Sequence, residues 1–245
     1  MQYYKMKAYD FEFVWNDHEK KDYEKHNHVS KYIIGFVCSG RIRIATNEEE
    51  WTCEKDDLYW IPILKTHAVY QEEEHTTVLS LCLGTNMLHA CSLEEGKAVI
   101  QECLNQIIAN GHIEKEKADS FLHAYEMLYY QKTEKIALTK EMGQLKELFV
   151  SEPEKEMNLE KLANEVFISK YYMIRKFKES IGLTPHKFQM QNRIRKAKQM
   201  LQEGEKIAEV ATATGFYDQS HFTRVFTDTV GISPGEYVAS IIHLE

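Results

Sequence analysis

Apolar and polar residues follow two different periods along this chain, and the change between them divides it. From Lys31 to Leu83 the apolar positions fall in short runs rich in β-branched and aromatic residues, KYIIGFVCSG, RIRIATN, EEWTCEK, DLYWIPI, HAVYQ and TTVLSLCL. Turn-forming Ser39–Gly40, Asn47 and Asp56–Asp57 punctuate these runs, a pattern that predicts an antiparallel sandwich or barrel. From Leu93 to Val150 the period lengthens to that of helices, in EEGKAVIQECLNQIIANG, KADSFLHAYEMLYYQK and TKEMGQLKELFV. Phe121, Leu122, Tyr125, Leu128 and Tyr129 then share a broad apolar face, enough both to pack on the barrel and to meet a second copy in a homodimer, the competing reading being a face used wholly within the chain. The acidic, Pro-containing SEPEKEMN, residues 151–158, separates two periodic segments and predicts a linker between a domain at 1–150 and one at 159–245.

The second domain contains an internal repeat. ISKYYMIRKFKESIGLTPHKF from Ile168 aligns with YDQSHFTRVFTDTVGISPGEY from Tyr217, pairing Arg175 with Arg224, Phe177 with Phe226, Gly182 with Gly231 and Pro185 with Pro234. Upstream, Leu159, Leu162 and Ala163 align with Ile207, Val210 and Ala211 at an offset one residue shorter, so the second copy has one extra residue in its turn. Each copy reads as helix, turn, helix, a capping glycine, then Thr184 or Ser233 as the N-cap of a helix opened by proline. This is a helix-turn-helix twice over. In the second helix of the first copy Met173 and Phe177 face inward, while Tyr171, Ile174, Arg175 and Lys178 share the outer face. The second copy shows Ser220, Thr223, Arg224 and Thr227 in the same register. Between them Pro185 to Glu203 forms one predicted helix, with Phe188, Met190, Ile194, Ala197 and Leu201 along one side. At 1.5 Å per residue it is a rod of about 28 Å, close to the ~34 Å between successive major-groove faces of B-DNA.

Charge changes this picture only when divided along the chain. The net charge of -8 argues against nucleic acid. Yet residues 1–150 carry 17 Lys and Arg against 25 Asp and Glu, whereas residues 151–245 carry 13 of each. Lys170 to Lys198 holds nine basic residues and a single acid, Glu179, a local footprint for a polyanion. Five cysteines without a CxxC pair speak against a disulfide framework or a zinc knuckle, and no apolar run reaches the ~20 residues of a membrane span. A cytoplasmic protein with free thiols and no membrane partner is expected.

Residues 158–240 resemble the DNA-binding domain of the AraC/XylS transcriptional regulators, on the strength of "ATATGFYDQSHFTRVFTDTVGISPGEY" and its upstream repeat. The resemblance implies an all-α tandem helix-turn-helix domain with two recognition helices in successive major grooves of double-stranded DNA. It places Tyr171, Ile174 and Arg175, then Ser220, His221, Thr223 and Arg224, at base edges. Arg175 and Arg224 suit guanine, because a guanidinium donates two parallel bonds to O6 and N7. Lys170, Lys176, Lys178 and Gln219 are expected at phosphates. Phe167 departs from the family, which usually has glycine in that turn.

"HNHVSKYIIGFVCSGRIRI" and "KDDLYWIPILKTHAVY" resemble the cupin-like sensor barrel of the same family. That implies a small polar effector, a carbohydrate by family likeness, with His26, His28, Tyr32, Arg43, Trp60 and His67 as lining candidates. His26, His28 and His67 match three cupin metal-ligand positions, but no carboxylate follows His28 until Glu48, so neither metal nor other cofactor is expected. The chain reads as a regulator and not an enzyme, and the resemblance also admits RNA polymerase as a partner. The competing readings are a metal-dependent cupin enzyme with a DNA-binding module, and a constitutive DNA-binding protein whose barrel only dimerises.

Overall fold

A computed structural model describes every residue except 7, 20, 21, 132–137, 166 and 245. The chain forms two compact units, residues 1–22, 27–135 and 240–245 in the first and residues 23–26 and 136–239 in the second.

The first unit is built on β1 (Gln2–Met6), β2 (Phe11–Glu19), β4 (Lys31–Ser39), β7 (Leu58–Ile61) and β9 (His75–Gly84), which with β10 (Ile241–Leu244) form a sheet in the order β10-β1-β2-β9-β4-β7. A second sheet of this unit runs β8 (His67–Gln71), β5 (Arg41–Thr46), β6 (Glu50–Glu54), while β3 (Tyr23–His26) is grouped with the second unit. Alternation along β4 explains the architecture. Ile33 and Val37 face Ile42 and Ile44 of β5, Cys53 of β6, and Tyr59, Ile61 and Val78, which fills the space between the sheets. Tyr32, Ile34 and Phe36 face the other way, into a core shared with α1 (Thr85–Ala90), α2 (Leu93–Ala109) and α3 (Lys115–Gln131). Because both faces are covered, the strand reads as an unbroken apolar run. Phe121 of α3 stands edge-on to Phe13 at 5.4 Å and tilts against Phe36 at 6.2 Å.

The apolar face of α3 is therefore used inside the unit. Phe121, Tyr125 and Leu128 are buried there and Leu122 and Tyr129 pack against the same core, which withdraws that face as the ground for a homodimer. Edge strand β10 differs from the rest of its sheet. It pairs parallel with β1, Tyr3 opposite Ile241 through Met6 opposite Leu244, although it follows the last helix of the other unit after one residue.

The second unit holds α4 (Lys140–Ser151), α5 (Leu159–Glu165), α6 (Lys170–Ile181), α7 (Pro185–Gln202), α8 (Ile207–Ala213), α9 (Gln219–Val230) and α10 (Pro234–Ala239). The all-α tandem arrangement expected from the repeat is present. The expected boundary moves: α4 joins this unit, because Phe149 packs on Phe177 of α6 and Phe188 of α7 with centroids 5.7 and 6.2 Å away. The 151–158 segment is not a free linker either. Gln189 donates to the carbonyls of Pro153 and Lys155, while Arg193 donates to those of Pro153 and Glu154. These bonds bury Gln189 on the face of α7 where the sequence placed Met190, which is only half-buried.

Candidate nucleic-acid interface and ligand site

Both copies of the helix-turn-helix are assembled by the same backbone bonds. In the first turn the N–H groups of Phe167 and Ile168 donate to the carbonyls of Asn164 and Ala163, at 3.2 and 3.0 Å. In the second, Gly215 and Phe216 donate to Thr212 and Ala211, at 3.1 and 3.0 Å. Phe167 (φ 57°) and Gly215 (φ 80°) are both left-handed. The bonding therefore sets Ile168 against Phe216, not Tyr217, and the extra residue of the second turn is Tyr217. Phe216 is buried against Phe222 and His221, at 5.2 and 5.4 Å, whereas Tyr217 is 92% exposed.

Each reading helix is then capped at both ends. Ser169 Oγ accepts from the Tyr172 N–H at 3.2 Å, and Asp218 Oδ1 accepts from the His221 N–H at 2.7 Å. Gly182 and Gly231 close the C-termini in the left-handed conformation, φ 82° and 105°. Met173, Phe177, Phe222 and Phe226 are buried, which fixes the opposite faces outward. Of the candidates, Tyr171, Arg175, Lys170, Lys178, Gln219, Ser220 and Arg224 are exposed, and Ile174, Lys176, His221 and Thr223 are partly covered. The two arginines differ. Arg175 Nε lies 3.7 Å from Glu179, which also takes Lys176 at 2.9 Å, and both cations lie near the Tyr172 ring. Among the described residues Arg224 forms no ion pair with Asp218 or Asp228; Asp218 serves as the cap.

A residue that sequence periodicity did not single out supports the second copy. The Arg193 guanidinium donates to the Gly215 carbonyl at 2.5 Å as well as to Pro153 and Glu154, tying the turn to the segment before α5. Its signal was only an arginine within a predicted helix of mixed polarity.

In the strand-rich unit the six lining candidates separate. The register puts His67 opposite Thr46, on the side of Ile42 and Ile44, and its ring lies 5.4 Å from that of His28. His26 ends β3, which groups with the second unit. Nδ1 of His26 is 2.8 Å from the Glu24 carbonyl and Nδ1 of His67 is 2.9 Å from that of Lys65. With the proton on Nδ1 in each, the lone pair is on Nε2. Burial lowers the His67 pKa and keeps the ring neutral. Asn27 and Thr66, buried and bonded to each other at 3.4 Å, lie beside His28 and His67 in sequence; nothing in their residue type announced this.

Tyr32, Arg43 and Trp60 do not join them. Tyr32 is buried on the opposite face of β4, in the core shared with the helices. Trp60 pairs with Ile34, shares that outer face, and is 45% exposed. Arg43 alternates with inward Ile42 and Ile44, and its guanidinium is held outside by Glu50 at 2.9 Å, Glu72 at 3.2 Å and the Tyr70 ring.

Comparison with known proteins agrees with both halves. Residues 9–125 match the AraC-like ligand binding domain, and residues 162–240 match a helix-turn-helix domain. The HTH-type transcriptional regulator MtrA of Neisseria gonorrhoeae is 32% identical over 40% of this chain, but the match spans only 33% of that regulator. Over longer stretches the chain is 26% identical to the uncharacterised HTH-type transcriptional regulator YbfI of Bacillus subtilis (78% of each chain). It is 24% identical to the regulator YdiP of Escherichia coli (92% of this chain, 84% of that one). Among solved structures, ToxT of Vibrio cholerae has the same fold, with a TM-score of 0.57 at 17% identity over 93% of this chain and 97% of that one. A ToxT structure with an unsaturated fatty acid bound gives 0.56 at 16% identity, over 96% and 98%. No helix among the described residues is long and apolar enough to cross a membrane. The chain thus carries an AraC-like ligand binding domain followed by tandem helix-turn-helix units, and the relatives it resembles over most of its length are HTH-type transcriptional regulators.

Proposed function

We propose that α6 and α9 read two successive major-groove segments, with Tyr171, Ile174, Arg175, Ser220, His221, Thr223 and Arg224 at base edges and Lys170, Lys176, Lys178 and Gln219 at phosphates. The observation that carries this reading is the matched register: two helices with equivalent caps and buried faces turn the same positions outward. Solvation alone requires no such match. Replacing Arg224 by alanine is expected to weaken binding to a duplex selected from a random pool by about 1–3 kcal/mol, and binding to a scrambled duplex little. Equal losses on both duplexes would rule out base reading by Arg224.

The strand-rich domain, in this reading, sets DNA affinity by binding a small hydroxyl-bearing molecule, a carbohydrate, at His28 and His67. The His67 ring, held neutral by burial, accepts from a hydroxyl group and offers no fixed positive charge to a carboxylate. A thermal-shift panel of sugars and fatty acids tests the class, since a ligand selective for the folded state raises the melting temperature. Stabilisation by fatty acids alone would reject the polar effector. Regulation then requires DNA affinity to differ with and without the stabilising compound.

A further inference from the structure

We propose that Phe167 and Tyr217 are DNA-contacting residues, each laying an aromatic ring on the apolar wall of the major groove beside its reading helix. The inference rests on α6 and α9 being the helices that enter the grooves. Phe167 and Tyr217 are 96% and 92% exposed, and neither ring is buried in the fold. Phe167 also strains its backbone, holding a φ of 57° where the equivalent position of the second copy is glycine. A residue that strains its turn and buries nothing contributes nothing to the free fold. Tyr217 is the residue by which the second turn is longer, and the buried slot next to it is already filled by Phe216.

Their positions supply the partner. Phe167 stands two residues before the N-cap Ser169, and Tyr217 one residue before the N-cap Asp218. A recognition helix meets base edges with its N-terminal residues, so the residues just before its cap lie at the groove wall. That wall offers thymine methyl groups and deoxyribose faces, both apolar, bordered by phosphates that a tyrosine hydroxyl can reach. Lys170, Arg175, Lys176 and Lys178 on α6 make the surroundings of the first ring complementary to a polyanion. The two rings thus flank equivalent ends of the two reading helices, one reached by a strained turn and the other by an inserted residue.

The test uses the full chain and a duplex that the wild type selects from a random-sequence pool. Affinities are measured for wild type, Phe167→Gly, Tyr217→Ser and Arg224→Ala, with melting temperatures alongside. Phe167→Gly is expected to raise the melting temperature while weakening the selected duplex roughly five- to tenfold, the effect of uncovering some 40–60 Å² of apolar surface. Tyr217→Ser is expected to weaken it to a similar degree with the melting temperature unchanged. Replacing thymidines by deoxyuridine in the duplex separates the two contacts. If the wild type loses affinity and the variants lose no more, the rings lie on methyl groups; if deoxyuridine has no effect while the variants are weakened, they lie on deoxyribose. Wild-type affinity in both variants, with Arg224→Ala still weakened, would overturn this inference alone. Unchanged binding by Arg224→Ala as well would instead reject the assignment of the reading helices.

Discussion

Glu179 governs how available two of the cations on α6 are to DNA. It pairs with Lys176 and lies near Arg175, and the Lys176 ammonium holds its carboxyl below the usual range. In the proposed reading both cations leave it to meet guanine or phosphate. Glu179→Gln is expected to tighten binding to a scrambled duplex about two- to fivefold, the scale of an exposed ion pair, as read by titration at fixed salt. His67 carries a pH signature. Its pKa is lowered by burial, so the unfolded chain binds the proton more readily than the folded one. The associated stability is fully present above the unfolded value near 6.5 and is lost as pH falls through the lower folded value. Thermal melts from pH 8 to 5 are expected to show that loss, and His67→Asn to flatten it in part, because His112, also lowered by burial, contributes with the same sign.

At the scale of elements, the two turns of the repeat show how one conformation can be served by different residues. A Cβ on Gly215 would stand 2.5 Å from the Glu154 carbonyl oxygen in a backbone already left-handed, whereas Gly204, also left-handed, has nothing within 4 Å. Gly215→Ala is expected to cost at least about 2 kcal/mol and Gly204→Ala only about 1, a difference measurable by denaturant unfolding. Helices, caps and the order of the repeat were legible in the sequence, because glycine, proline and 3.6-residue spacing punctuate them strongly. The inserted residue was not. Phe216 and Tyr217 are both aromatic, and only the backbone bonds show which of them fills the buried slot. The strands were legible as strands but not their faces: Tyr32 and Ile33 both sit in an apolar run buried on two sides, so no period-2 signal told which points between the sheets. Arg43 and Trp60 instead sit at outward positions of alternating strands, between Ile42 and Ile44 and between Tyr59 and Ile61, while His28 and His67 met because a loop and a strand end converge.

For the whole molecule, the division of the chain follows packing rather than composition. The acidic segment that looked like a linker is held by Gln189 and Arg193, and α4 is fastened by three phenylalanines, so contacts placed the boundary where charge did not. Strand β10 was likewise invisible, since four residues after a helix carry too little pattern. A chain ended at Ala239 is expected to keep its helices and lose the ladder at β1, lowering the stability of the strand-rich unit by roughly 1–3 kcal/mol. Hydrogen exchange would show it as faster exchange along β1, with protection in α6 and α9 retained. The same connection has a consequence for biosynthesis. During translation the ribosome releases every reading helix before it releases β10, so the sheet that begins at the second residue waits for the far end of the chain. A product that stops before Ile241 therefore carries finished helices of the second unit while the edge at β1 stays open to pairing with other chains.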